Sequence, residues 1–155
     1  MKGLEKLTKL RGLSLGNNKL TDVKGLEKLN QLTMLSLGDN QLTDVPKGLE
    51  KLGQLKKLSL YDNQLTDVKG LEKLNQLTSL SLEGNKLTDV KGLEKLTNLE
   101  RLNLRGNQLT DVKGLEKLTN LERLYLEGNP DLTKAQIAEL KKALPKCKIQ
   151  SNPTK

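Results

Sequence analysis

Leucine fills most hydrophobic positions of this chain and recurs there at fixed intervals. From Leu10, the apolar positions and one asparagine, Asn18, follow the pattern L-x-x-L-x-L-x-x-N-x-L. The same frame begins again, at spacings of 22 or 23 residues, at Leu32, Leu55, Leu77, Leu99 and Leu121. Internal repetition with a period of this length predicts a solenoid of stacked coils.

The first half of each unit predicts a short strand followed by an inward turn. Leu13 and Leu15 are two residues apart, so their side chains leave the same face of a strand, while Ser14 points to solvent. Asn18 follows where the chain turns inward. Its amide can satisfy backbone groups of the turn and of the next coil.

The second half of each unit is almost invariant. Residues 21–29 recur with one extra residue, Pro46, in the next unit, and they recur letter for letter from Thr66, Thr88 and Thr110. Within this segment Leu26 and Leu29 are three residues apart, which fits one turn of 3₁₀ helix on the convex side. A single unit cannot bury its own core, so the units are expected to stack.

These positions resemble the leucine-rich repeat, in its 22-residue internalin-like class, over residues 4–129. The resemblance implies an α/β leucine-rich-repeat solenoid. Its curved parallel β-sheet would form the concave face, with 3₁₀ or turn segments on the convex face. It also implies that the concave face recognises a protein or a peptide.

The last segment departs from the repeat and predicts a helical cap. Thr133 and Gln136 have the spacing of a capping box, and apolar residues follow on one helical face until Pro145 stops the helix. We expect a helix near residues 134–144 and a seventh strand near 146–149. In that strand the side chains of Cys147 and Ile149 would point into the core.

The predicted organisation is one domain over residues 1–155, with six repeats in 4–129 and the cap in 130–155. At the N-terminal end, Leu4 and Leu7 supply only half a coil. We therefore expect the first coil to be frayed or to associate with another molecule, which makes self-association through this uncapped end an expected partner interaction.

Composition argues against catalysis, cofactors and metals. The chain has no His, Trp or Phe and a single cysteine, Cys147. Histidine is the commonest general base and metal ligand, and no cysteine pair replaces it. Cys147 takes a leucine-like position, so an inert, buried thiol is expected. Asp39 and Asp62 occur singly at turn positions that favour Asp for backbone reasons.

No signal peptide or membrane-spanning run is visible in the sequence. Residues 1–3 lead directly into the repeat pattern, and charges interrupt the leucines every two or three residues. The chain as written is expected to be a cytoplasmic or recombinant product, and a secreted parent whose signal has been removed is the alternative that stays open.

Differences between the repeats concentrate in three outward rows on and just after the predicted strands. A constant scaffold that presents varied side chains is typical of a recognition surface; drift at positions without packing constraints is the alternative interpretation. Charged residues and both tyrosines place the site towards the last four repeats. The candidate ligand-binding residues are Met34, Lys57, Ser59, Tyr61, Asp62, Ser81, Glu83, Arg101, Asn103, Arg105, Arg123, Tyr125 and Glu127.

Two charge patterns lie within these rows. Glu83, Arg105 and Glu127 occupy successive rungs about 4.8 Å apart and are expected to neutralise one another. Arg101 and Arg123 are like charges on adjacent rungs that could bind an acidic group, although a glutamate precedes each of them.

Three functions remain open from the sequence. The first is non-catalytic recognition of a protein or peptide by the concave face. The second is an engineered or consensus solenoid without a natural ligand, which near-identical repeats favour, whereas Pro46 and Cys147 favour a natural chain with recently duplicated repeats. The third is a weak polyanion binder, which rests on the net charge of +8. Nucleic acid is not favoured, because aromatic side chains for base stacking are nearly absent.

Overall fold

One parallel sheet of seven short strands organises the molecule. The computed structural model describes residues 3–152, so the ends of the predicted 1–155 domain lie outside the described residues. The strands pair in chain order, as the sequence predicts. They are β1 (Gly12–Ser14), β2 (Met34–Ser36), β3 (Lys57–Ser59), β4 (Ser79–Ser81), β5 (Arg101–Asn103), β6 (Arg123–Tyr125) and β7 (Lys148–Gln150).

Each strand contributes one apolar side chain to a continuous core. Leu58, for example, is paired in register with Leu35 on one side and Leu80 on the other. All three are at most 3% exposed. The residues on either side of each leucine project from the opposite face, and this alternation separates the core from the candidate site.

The convex side carries the predicted tight turns. One turn of 3₁₀ helix occurs in five coils, at Leu4–Lys6, Leu26–Lys28, Leu49–Lys51, Leu93–Lys95 and Leu115–Lys117. Residues 71–73 have the same Leu-Glu-Lys sequence but form turns instead. The neighbouring coil differs there: Gly70 faces Val45, next to the inserted Pro46, whereas Gly25, Gly48, Gly92 and Gly114 face a glutamate of the preceding coil. The inserted residue therefore changes the conformation of the following coil.

In four of the convex turns, the glycine N–H of the Gly-Leu-Glu segment donates a hydrogen bond to the glutamate carboxylate. Gly92 has a φ of 103°, a left-handed conformation that glycine adopts without strain, and its N–H donates to the Glu94 carboxylate at 2.6 Å. Gly70 donates to Glu72 in the same way at 2.7 Å. Backbone N–H donors lower the pKa of both carboxyl groups, led by each glutamate's own N–H. The convex glutamates are thus part of the turn as well as of a solvated surface.

A ladder of buried asparagines connects the coils. Asn85 is 5% exposed; its Oδ1 accepts from the Leu65 N–H at 3.0 Å, and its Nδ2 donates to the carbonyls of Leu60 and Leu82 at 3.0 Å. Leu65 and Leu60 belong to the preceding coil, and Leu82 belongs to Asn85's own coil. The same arrangement recurs at Asn40, Asn63, Asn107 and Asn129.

The asparagines reach back to the preceding coil, and the expectation that they reach to the next coil is wrong. After each strand, backbone N–H groups point towards the following coil: the Leu15 N–H donates to the Ser36 carbonyl at 2.8 Å. The Leu20 N–H also points towards the following coil, but it donates to the side-chain oxygen of Asn40 at 3.0 Å and not to a backbone carbonyl. The amide oxygen thus replaces a backbone carbonyl where the chain turns inward.

The C-terminal cap closes one end of the core. Thr133 and Gln136 form both hydrogen bonds of the capping box at the start of α1 (Lys134–Ala143). Ile137 and Leu140 of the helix are buried. Strand β7 pairs with β6, and Cys147 and Ile149 pack half-buried against the core. No helix within residues 3–152 has the length and apolar character to cross a membrane.

The opposite end of the core is less well covered. Leu4 is buried, but Leu10 and Leu13 are only half-buried, and Leu7 is 50% exposed. Corresponding leucines of the inner coils are almost completely buried. The end beside β1 therefore presents an apolar surface.

The asparagine ladder predicts a position-dependent loss of stability. Asn85→Leu is expected to lower the free energy of unfolding by about 1–3 kcal/mol, because the buried Leu65 N–H and the carbonyls that Asn85 satisfies lose their partner. Urea unfolding of the variant and the parent measures this difference.

Asn18→Leu is the matched control. Asn18 is exposed and donates only to carbonyls of its own coil, those of Leu15 and Gly16. Its replacement should cost clearly less than that of Asn85. Equal losses at the two positions would contradict the role of the ladder in connecting coils.

The partial burial of Cys147 predicts that its thiol reacts slowly in the native protein. Burial raises the pKa of the Cys147 thiol, so the reactive thiolate is scarcer at any given pH than in the unfolded chain. The rate of labelling by a disulfide reagent, followed against pH, should be lower for the native protein and should rise at higher pH than for protein in denaturant. Identical profiles for both states would show that β7 is not docked.

Candidate functional site

Three rows of side chains cover the concave face of the sheet. The first row, just before the strand leucines, is Gly12, Met34, Lys57, Ser79, Arg101, Arg123 and Lys148. The middle row is Ser14, Ser36, Ser59, Ser81, Asn103, Tyr125 and Gln150. The third row follows the strands and is Gly16, Gly38, Tyr61, Glu83, Arg105 and Glu127. Every candidate residue of the sequence analysis except Asp62 lies in one of them.

Asp62 lies beside the rows and serves the turn. Its φ is 47°, and Asp39 at the equivalent position has a φ of 55°. These left-handed conformations confirm that the aspartates occupy their positions for backbone reasons. Gly84 takes the same place in the next coil with a φ of 66°.

Two residues of the face, Lys148 and Gln150, were not among the candidates. They lie in β7, opposite Arg123 and Tyr125. The spacing of Leu144, Cys147 and Ile149 aligns Lys148 with the middle row, whereas the structure pairs Ile149 with Leu124 and so places Lys148 in the first row.

The first row carries a run of cations across three strands. Arg101, Arg123 and Lys148 occupy consecutive rungs and are exposed. The ion pairs described within residues 3–152 join Lys69 to Asp67 and Arg105 to Glu127, so none of the three takes part in one. Like charges about 4.8 Å apart repel each other, and an acidic group bound between them would relieve that repulsion.

A polar network occupies the third row over the same strands. Arg105 donates from Nε and Nη2 to the two Glu127 carboxylate oxygens at 2.8 and 2.7 Å, and also from Nη2 to the Gln150 side chain at 2.7 Å. Its guanidinium lies 4.5 Å from the centroid of the Tyr125 ring. The hydrogen bonds from Arg105 are the main cause that lowers the pKa of Glu127.

Glu83 does not share in this pairing. Its carboxylate accepts from the Asn103 amide at 2.7 Å, and the Asn103 side-chain oxygen accepts from the Arg105 N–H at 3.1 Å. The expected mutual neutralisation of the row thus holds for Arg105 and Glu127, while Glu83 is fixed by an uncharged neighbour. Contacts between the middle and third rows hold these side chains in place.

Tyr61 leans towards the N-terminal coils. Any side chain at position 38 would overlap its ring, so the ring lies against Gly38 of the preceding coil. Tyr61 remains 36% exposed. Met34, which begins β2 and lies on the opposite side of Ser36 from Gly38, is 51% exposed. Gly38, in the second coil, thus provides space for the ring.

Other chemistry is not assembled in the described part of the chain. Within residues 3–152, no three His, Cys, Asp or Glu side chains are grouped to hold a metal ion. A groove of about 690 Å³ lies beside the cap helix, where Leu126, Pro130 and Ile137 are among its lining residues, away from the three rows.

Comparisons with known proteins agree with this architecture. An internalin (inlF) of Listeria monocytogenes is 30% identical, with a TM-score of 0.88, over 96% of this chain and 44% of its own. A leucine-rich-repeat protein of Leptospira interrogans is 37% identical, with a TM-score of 0.88, over 95% of this chain and 38% of its own. Internalin C2 of Listeria monocytogenes is 29% identical, with a TM-score of 0.70, over 90% of this chain and 69% of its own.

The chain thus spans less than half the length of the first two of these proteins. No curated protein sequence matches it significantly. The family model described as leucine-rich repeats in two copies matches residues 4–52, 53–95 and 97–142. With its asparagine ladder, its seven-stranded sheet and these matches, the chain belongs to the leucine-rich-repeat family.

Proposed function

We propose that this chain recognises a protein or peptide partner through the concave face, over the coils of β3 to β6. Leucine-rich-repeat proteins are in general non-catalytic scaffolds for protein interaction. The observation that carries the proposal is the distribution of differences between repeats. The convex half is nearly constant, and in four of its turns a glycine N–H donates to a glutamate carboxylate, whereas the three concave rows vary although no core packing constrains them.

Charge supports an acidic partner. In the third row the Arg105 guanidinium is already satisfied by Glu127 and Gln150. In the first row Arg101 and Arg123 have exposed guanidinium groups that can form bidentate contacts with carboxylates. Tyr61 and Tyr125 add large contact areas at a low cost in side-chain entropy.

A broad polyanion fits this surface less well than a single acidic chain. Glu100 and Glu122 immediately precede Arg101 and Arg123 along one margin of the sheet, and Glu83 and Glu127 lie along the other. The cations therefore form a narrow row between acidic margins. The polyanion alternative would show itself as binding that collapses between low and moderate salt for nucleic acid and peptide alike.

We also propose self-association through the apolar end beside β1. Exposed Leu7 and half-buried Leu10 and Leu13 would be covered by a second copy of the chain. Sedimentation velocity over a range of concentrations tests this: a dimer that Leu7→Glu dissociates supports it, and a monomer at all concentrations contradicts it.

The concave-face assignment predicts separable effects on binding and stability. Replacing Tyr61, Arg101 and Tyr125 together by Ser should abolish capture of any partner, because the variant loses both aromatic contacts and one cation. The thermal unfolding midpoint should change little, since none of the three belongs to the core. A pull-down with parent and variant, together with differential scanning calorimetry, provides the measurement.

Replacing the convex Lys24, Lys69 and Lys113 by Ser is the control for this triple variant. A partner that tolerates the concave changes but is lost on the convex changes would move the site to the other face. A parent that captures nothing favours the alternative of an engineered or consensus solenoid without a ligand.

The ion pair between Arg105 and Glu127 predicts that its contribution to stability depends on pH. The pKa of Glu127 lies below its ordinary value of 4.5, so the stabilisation from this carboxylate is present above that value and is lost as pH falls through the lowered pKa. Carboxyl-carbon NMR titration should show the pKa of Glu127 rising in Arg105→Gln. Arg101→Gln removes an equal charge without touching Glu127 and should leave its pKa nearly unchanged; equal shifts in both variants would exclude a specific pair.

A further inference from the structure

We infer that the concave face is divided into an apolar seat and a cationic row, and that it binds one extended segment of a partner protein. The apolar seat consists of Met34, Ser36, Gly38 and Tyr61; the cationic row consists of Arg101, Arg123 and Lys148. The segment would carry a bulky apolar side chain for the seat and acidic side chains for the row. This inference rests on the proposed function and specifies the chemistry of its partner.

Exposure and shape support the apolar seat. Three large apolar side chains are exposed among residues 3–152, and two of them, Met34 and Tyr61, lie at opposite margins of the seat. The residue of the middle row between Met34 and the ring is Ser36, whose side chain is small. The Tyr61 ring rests on Gly38, which limits its motion. A large side chain could therefore contact Met34 and the ring at once, at little cost in ordering the ring.

The cationic row differs from the seat in both charge and neighbours. Its three cations are exposed and take part in no ion pair described within residues 3–152. Arg105 beside it is already paired with Glu127 and also donates to Gln150, so its charge is largely neutralised. Carboxylates are thus expected along this row and not along the third row.

The distance between the two parts sets the spacing in the ligand. The coil of β5 lies two to three rungs from those of β2 and β3, which is about 10–14 Å at about 4.8 Å per rung. An extended peptide advances about 3.3 Å per residue, so about four residues separate its apolar side chain from the first acidic one. Ser59, Ser79 and Ser81 line the intervening surface together with the exposed Lys57, which lies between Met34 and Ser79 in the first row.

Charge complementarity favours a protein segment over the other occupants. A nucleic acid would bring phosphates to the acidic margins as well as to the cationic row, and it would have no apolar side chain for the seat. A short extended peptide can place its charges over one row. Its hydrophobic anchor would then fix the direction in which it lies.

The test is selection from a phage-displayed library of random peptides, about 12 residues long to span both parts. The targets are the parent, the double variant Met34→Ser with Tyr61→Ser, the double variant Arg101→Ser with Arg123→Ser, and Gly38→Ser, which retains Tyr61 but displaces its ring. The double variant Lys91→Ser with Lys113→Ser, on the convex side, is the matched control for loss of two cations.

Parent and convex control should enrich peptides with an apolar residue about four positions from two acidic residues. The Met34 and Tyr61 variant should lose the apolar preference alone, and the Arg101 and Arg123 variant the acidic preference alone. A synthetic peptide selected on the parent should bind Gly38→Ser about tenfold more weakly, a change of about 1.4 kcal/mol.

The opposite results separate the two proposals. Acidic peptides whose selection ignores Met34, Tyr61 and Gly38 would overturn the divided face while leaving concave recognition standing. Enriched peptides that are insensitive to both concave double variants, or a parent that enriches none, would overturn both proposals.

Discussion

The structure depends on one constraint: at every inward turn, a backbone N–H of one coil needs an acceptor in the next. The asparagine side chain is that acceptor, as Asn63 Oδ1 is for the Leu42 N–H at 3.0 Å. Because the amide also donates to carbonyls of both coils, a shift of one coil against its neighbour would break several buried hydrogen bonds at once. The ladder therefore fixes the register in which the leucines stack.

A fixed register gives the concave face its order. Side chains at equivalent positions lie side by side on neighbouring strands. Replacing one of them therefore changes the concave surface at one position and leaves the scaffold intact. The convex half has no such freedom, because its glycines adopt left-handed conformations and its glutamates accept the N–H groups of the same turns. This division explains why nearly identical repeats differ mainly on the concave face.

The period alone was sufficient to predict the sheet, the buried leucines and the asparagine positions, since these follow from spacing and side-chain chemistry. The turn at residues 71–73 could not be predicted, because its letters are identical to those of the 3₁₀ turns and its difference comes from the coil that contains Pro46. Nor could the sequence decide that Arg105 pairs with Glu127 while Glu83 accepts from Asn103. The contact between Tyr61 and Gly38 could not be predicted from the sequence either, because it depends on the rotamer of a side chain from another coil.

Native-state hydrogen exchange tests the central role of the ladder most directly. The amides of Leu65 and Leu87 donate to Asn85 and Asn107 at 3.0 Å, outside the strands. If the ladder connects the coils, both amides should exchange only through opening that approaches global unfolding, with protection similar to that of the strand amide of Leu80. Exchange as fast as that of exposed turn amides, while Leu80 stays protected, would contradict the account.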